Sequence, residues 1–251
     1  MIKTKKIYKI VSILFYIVLN INYLFALDLN NIQNKVKLDN INTKIYNVTK
    51  DNAYINIPNL KIGQSGIITH IYNNNKTIIL SYAKVIESNK LKSKIQFINF
   101  RKLYNRNLPS TTLKPFNNNQ LILNYLYKRS ILITPTKQSY IKIKREFNKN
   151  IFLNSNIIAA DLIILDDEFP NKKYLQEFSN KNEIGTIFIV LNKNLYILDS
   201  LTFKILYKLK LDYKLEDIII PFYNKIGEKN NIEDQNYKDM YDKYYEKLLG
   251  I

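Results

Sequence analysis

The residues best able to do chemistry are a small acidic group, Asp161, Asp166, Asp167 and Glu168, in a chain where basic residues outnumber acidic ones 38 to 21. Carboxylates gathered at one chain reversal can hold a hard divalent cation or divide the roles of acid and base. Calcium-loop spacing is missing, because no alternating run of Asp or Asn closes on a glycine here. A turn is the simpler reading: Asp166-Asp167-Glu168 end an apolar run before Phe169-Pro170 and place negative charge ahead of the next helix. His70 is the only histidine, and the sequence offers it neither an identifiable nucleophile nor an orienting acid. No serine lies between glycines at nucleophile-elbow spacing. Without cysteine, thiol nucleophiles, disulfides and zinc–thiolate sites are excluded. These residues predict no enzymatic activity, no metal and no cofactor.

Gly63 and Gly66, in Ile62-Gly63-Gln64-Ser65-Gly66, resemble a phosphate-cradling loop only if a helix follows. The β-branched Ile67-Ile68-Thr69-His70-Ile71-Tyr72 predicts a strand instead, so the glycines are read as a tight turn. A second candidate is a surface for a partner. Near the end of the chain Tyr237, Tyr241, Tyr244, Tyr245 and Leu248 repeat at helical spacing, a stripe that serves docking onto the core or binding of a partner. Lys238, Asp239, Asp242, Lys243, Glu246 and Lys247 flank it; Lys238–Asp242 and Asp239–Lys243 are i,i+4 pairs. The partner-binding candidates are Lys238, Asp239, Lys243, Glu246 and Lys247.

The elements that must position these residues are legible as short runs. Strands are expected at Ala53–Ile57, Ile67–Tyr72, Thr77–Glu87, Ile95–Phe100, Leu121–Tyr127 and Ser130–Thr134, with Asn73-Asn74-Asn75 as a hairpin turn. Thr136–Phe147 predicts a helix, Ile157–Leu165 a buried strand or a strand preceded by a helical turn, and Pro170–Asn180 a second helix. Gly185–Leu191, Asn194–Asp199 and Phe203–Leu211 predict a β-meander turning at Asn192-Lys193 and Ser200-Leu201-Thr202. A final helix is expected from Asn236 to Leu249. The fold class is α+β: a small β-barrel-like N-terminal half, then a mixed sheet with a β-meander and two or three helices. The expected organisation is a signal peptide at 1–26, an irregular lead-in at 27–50, a β-rich domain at 51–135 and an α+β domain at 136–251.

The first 26 residues carry Lys3, Lys5, Lys6 and Lys9, no acid, and then an apolar run to Leu19. A basic start before a short apolar stretch reads as an export signal, with Ala26 as the small residue before cleavage. Asn20 and Asn22 interrupt the run, so it is short for a membrane span; if uncleaved, the leader is the one expected membrane contact. The expected location is the cell surface or the periplasm. A net charge of +17 favours acidic partners. Its lysines are scattered among asparagines rather than arranged in a stripe, and nucleic acid is not an expected partner. With 46% hydrophobic residues the chain can bury a core without disulfides.

Several stretches, taken in order, carry a resemblance. They are Ile57-Pro58 with Leu60, Ile62-Gly63-Gln64-Ser65-Gly66, Arg106-Asn107-Leu108-Pro109, and Ile131-Leu132-Ile133-Thr134-Pro135. Ile184-Gly185-Thr186-Ile187-Phe188-Ile189-Val190, Asn194-Leu195-Tyr196-Ile197-Leu198, Phe203-Lys204-Ile205-Leu206 and Pro221-Phe222 complete the series. From about Ile57 to Leu249 the chain resembles the N-terminal domain of bacterial plasminogen-binding surface proteins. The resemblance implies an exported, non-enzymatic envelope protein that captures host plasminogen. Its kringle domains hold an ammonium at an anionic end and a carboxylate at a cationic end, between aromatic walls. Since the sequence closes on Ile251, the expected contacts are internal lysines near a carboxylate: Lys243 with Asp239, and Lys247 with Glu246. The alternative expectation is a periplasmic structural or assembly factor of the envelope that does not bind plasminogen.

Overall fold

A computed structural model describes residues 32–72, 76–98, 113–211, 218–226 and 235–251. The leader, the Asn73–Asn75 turn and the Arg106–Pro109 stretch lie outside the described residues. After a helical turn at 32–34, the first half is a six-stranded antiparallel sheet. Its strands are β1 (Ile41–Lys44), β2 (Asn52–Ile55), β3 (Ser65–Ile71), β4 (Thr77–Ser88), β5 (Ser93–Ile98) and β6 (Gln120–Leu123), in the order β1-β6-β3-β4-β5-β2.

The sheet curls until its two edges meet. Tyr46, just past β1, exchanges both backbone hydrogen bonds with Tyr54 of β2, each at 2.9 Å. Two register shifts on the long central β4, opposite Ile68/Thr69 and between Val85 and Glu87, add the local bend that such curling needs. The alternation of the strands then turns Ala53, Ile55, Ile68, Ala83, Val85, Ile95, Leu121 and Leu123 into one small core. Residues 27–50, expected to be an irregular lead-in, contribute β1 and the buried Ile45 to this half.

The second half is a mixed sheet ordered β11-β10-β9-β7-β8. Its strands are β7 (Arg129–Ile133), β8 (Ile151–Phe152), β9 (Thr186–Leu191), β10 (Asn194–Asp199) and β11 (Ile205–Lys210). The change of sheet falls between Leu123 and Arg129. β8 and β9 lie parallel to β7 on either side, while β9, β10 and β11 form the expected meander. Asn192 and Lys193 both have positive φ, the conformation of a two-residue turn matched to strand twist.

Among the described residues these helices flank the sheet: α1 (Lys137–Glu146), α2 (Ser155–Leu165), α3 (Lys172–Lys181) and α4 (Gln235–Leu249). The crossover from β7 to β8 runs through α1, and the return from β8 to β9 runs through α2 and α3. These crossovers step across the sheet in opposite directions, so a common hand requires their helices on opposite faces. The core follows that rule. Leu132, Phe188, Val190, Leu195 and Ile197 pack with Ile143 and Phe147 on the α1 side. Ile131, Ile133, Ile187, Ile189 and Leu198 pack with α2, α3 and α4 on the other. Coverage of both faces is why all six residues of β9 are buried and its sequence reads as an unbroken apolar run.

One expected element is corrected. Ile157–Leu165 is not a strand but most of helix α2, which Asn154 caps by accepting a hydrogen bond from the Asn156 amide. Apolar residues on every side of α2 hide its period, and 11 residues is helix length. The other helices match their expected positions closely. Thr136 and Ser139 form a reciprocal capping box on α1, and Asn171, directly after Pro170, caps α3.

Candidate functional site

The acidic group does not assemble a metal site. Among the described residues no cluster of three or more potential ligands has metal-binding geometry. Asp161 lies within α2 and accepts a 3.0 Å hydrogen bond from the Tyr174 hydroxyl. Asp166 is the left-handed C-cap of α2, with Asp167 and Glu168 exposed beyond it. These charges close α2 rather than open α3, whose first turn holds no acid.

His70 lies in a structural setting. Its Nδ1 meets the Asn119 amide nitrogen at 3.2 Å, and its ring contacts Tyr72 and Phe116 edge-on, with centroids 4.9 and 5.1 Å away. The adjoining open cleft, about 570 Å³, includes Asn42, Lys44 and Gln120 but no acid among its described lining residues. A general-base histidine has no orienting carboxylate there.

In sheets with crossovers on both faces, ligands favour the carboxyl ends of the strands, where the connections diverge. Here residues of the chain itself fill that position. The amides of Ile219 and Tyr223 donate to the carbonyls of Pro135 and Thr134, each at 2.7 Å, at the end of β7. Tyr223 also packs its ring on Tyr140, and the α1 capping box is wholly buried beneath.

The glycine turn proves to be a joint between the halves. Gly63 has φ of +89°, and an added Cβ would lie 2.4 Å from Lys204 Cβ, so only glycine fits. The Thr202 hydroxyl donates to the Gly63 carbonyl at 2.7 Å, and the Gln64 side chain donates through Nε2 to Asn124 Oδ1 at 2.7 Å. At the centre lies buried Asp199, which sequence reasoning passed over as the end of a strand. Its carboxylate accepts from the Ser65 amide at 2.9 Å, the Thr202 amide at 2.8 Å and the Tyr127 hydroxyl. Burial pushes the Asp199 carboxyl above its ordinary value, against the lowering effect of those donors. Burial, with the Asp199 charge adding, holds the Tyr127 phenol well above its own. The donors to Asp199 are two backbone amides and a phenol, so the arrangement is a buried strut and not a catalytic triad.

The remaining candidate is α4. Its buried side is the aromatic stripe: Tyr241 donates to the Val190 carbonyl and Tyr245 to the Pro221 carbonyl, both at 2.8 Å. Burial pushes the Tyr245 phenol well above its ordinary value. Tyr244 is half-buried, its ring 4.3 Å from that of Phe169, and the Tyr237 side chain lies outside the described residues. The stripe therefore docks the helix, leaving its charged side outward.

Lys238, Asp239, Lys243 and Lys247 are exposed. Asp239 and Lys243 lie one turn apart on the same side, as do Lys243 and Lys247. Glu246 is different: half-buried, it accepts a 2.6 Å hydrogen bond from Asn192 in the β9–β10 turn. Being adjacent in sequence, Glu246 and Lys247 also diverge around the helix. Asp242 is half-buried too; burial raises its carboxyl while Lys238 opposes the shift.

No helix of the described residues is long and apolar enough to cross a membrane. A comparison with curated proteins finds no match. Nor does any solved structure match the chain. The family model described as plasminogen-binding protein pgbA N-terminal matches residues 40–249, taking in both sheets and α4. The chain belongs to that family, the plasminogen-binding protein pgbA N-terminal family.

Proposed function

We propose that this chain is an exported, non-enzymatic envelope protein that binds plasminogen through the outer side of α4, with Lys243 and Lys247 as the cations. Family membership supplies the partner class. The observation that carries the surface is that α4 buries Tyr241 and Tyr245 and leaves Lys243 exposed one turn from exposed Asp239. An ammonium and a carboxylate offered together suit a pocket with an anionic and a cationic end. Lys247 adds a second cation to the same side, Lys238 an outlying one, and Glu246 serves the fold instead. The basic leader supports export.

Binding of the purified chain to immobilised plasminogen tests this reading. Lys243→Ala with Lys247→Ala is expected to weaken binding at least about tenfold, the scale of losing one charge-assisted hydrogen-bonded contact. Excess free lysine is expected to compete it away. Binding unchanged by both would refute the assignment. Protease treatment of intact cells tests the location: loss of the protein supports surface display, while protection until the outer membrane is breached would favour a periplasmic assembly role.

A further inference from the structure

We propose that the outward side of α2, with the carboxylates that follow it, is a second docking surface, which takes a basic amphipathic helical segment of a protein partner. Ile158, Ala159 and Leu162 face the core, yet the opposite side of α2 is also apolar. Ile157, Ile163, Ile164 and Leu165 are 47, 62, 80 and 52% exposed. A helix apolar on all sides normally has neighbours on all sides, and an exposed apolar surface with a polar rim marks an interaction site.

The rim identifies the chemistry of the occupant. Exposed Asp166, Asp167 and Glu168 adjoin the apolar residues directly. Among the described residues none of the three forms an ion pair, although the chain carries 17 more basic than acidic residues. They stand at the C-terminal end of α2, where the helix dipole disfavours negative charge. Asp166 closes α2 through its left-handed backbone and Asn171 caps α3, so neither helix calls for the negative charge of the three. A partner presenting leucine-like side chains along one side and lysine or arginine at its border covers the isoleucines and pairs these carboxylates. An anionic membrane would be repelled by them, and a second copy of this chain brings a strongly basic body against an equally basic one. This surface does not depend on α4 or on plasminogen.

Fluorescence anisotropy with the full chain and a labelled helical peptide of leucine and lysine, patterned at three- and four-residue spacing, tests the proposal. The peptide is expected to bind in a salt-sensitive manner, and a glutamate-for-lysine version to fail. Ile157→Gln with Ile164→Gln should weaken binding at least about tenfold, since two apolar contacts are lost. Asp166→Asn with Asp167→Asn and Glu168→Gln should weaken it several-fold and flatten its salt dependence. All substituted side chains are solvent-facing, and thermal melting checks that each variant is folded. Equal binding of the glutamate peptide, or parental affinity in both variants, would overturn the proposal. So would sedimentation showing self-association that Ile164→Gln abolishes, because a second copy would then cover this side.

Discussion

Asp199 is the residue on which the two halves converge. Its carboxylate gathers donors from Ser65 of the first sheet, from Tyr127 between the sheets and from Thr202 beyond β10. Removing one partner of a buried acceptor costs more than the bond contributes when formed, because the group left behind has no water to turn to. Tyr127→Phe is therefore expected to destabilise the protein by about 1–3 kcal/mol at neutral pH, measured by urea unfolding. The sign of its pH dependence follows from the proton balance. Burial holds the folded carboxyl of Asp199 above its unfolded value, so the site loses stability as pH rises through that raised value. The Tyr127 hydroxyl lowers the carboxyl, and its loss raises it further and enlarges that cost. The destabilisation should thus be largest at neutral pH and shrink as pH falls into the carboxylate range. A loss independent of pH would mean that the phenol acts through packing alone.

At the scale of elements, α2 and α4 show opposite solutions to the same problem. α4 has a narrow aromatic stripe and buries Tyr241 and Tyr245 of it; α2 has apolar residues on its inner and outer sides and buries only the inner one. Its acidic C-terminus opposes the helix dipole, so neutralising the cap should help the fold. Asp166 has φ of 55°, a conformation that asparagine also tolerates. Asp166→Asn is expected to raise stability by about 0.3–1 kcal/mol, read from denaturant midpoints at low ionic strength and diminishing with added salt. A decrease would mean that the charge has a favourable partner within the fold. The misread strand also belongs to this scale. Alternation identifies a strand with one wet side, and a stripe identifies a helix with one wet side; Ile157–Leu165 has neither.

For the whole molecule, the joint around Gly63 decides whether the curled sheet and the mixed sheet behave as one body. An added methyl at Gly63 meets the Lys204 side chain across the joint, and the backbone there is left-handed. Gly63→Ala is expected to cost about 2–4 kcal/mol from strain and overpacking together. Hydrogen exchange should then show lost protection in both β3 and β10. Loss confined to β3 would show that the halves open independently. The same joint gives Gly63-Gln64-Ser65-Gly66, one of the stretches carrying the resemblance, a structural role: its residues meet Thr202, Asn124 and Asp199.

The sequence by itself determined much of the local structure. The α1 cap at Thr136, the Asn192-Lys193 turn and the tyrosine stripe of α4 are short-range patterns whose physics acts within a few residues. The family resemblance is equally local to the sequence, and it agrees with the family match. β1 and β8 were not legible because they are four and two residues long and are defined by their partners: β1 pairs with β6, and β8 lies beside β7. Only the tertiary structure divided the charged residues of α4 by role, giving Glu246 to Asn192 and leaving Lys243 and Lys247 in solvent. It alone turned Asp199 into a buried strut and left one side of α2 bare. Burial is a property of what packs against a residue, and for these residues the decisive neighbours are distant in sequence.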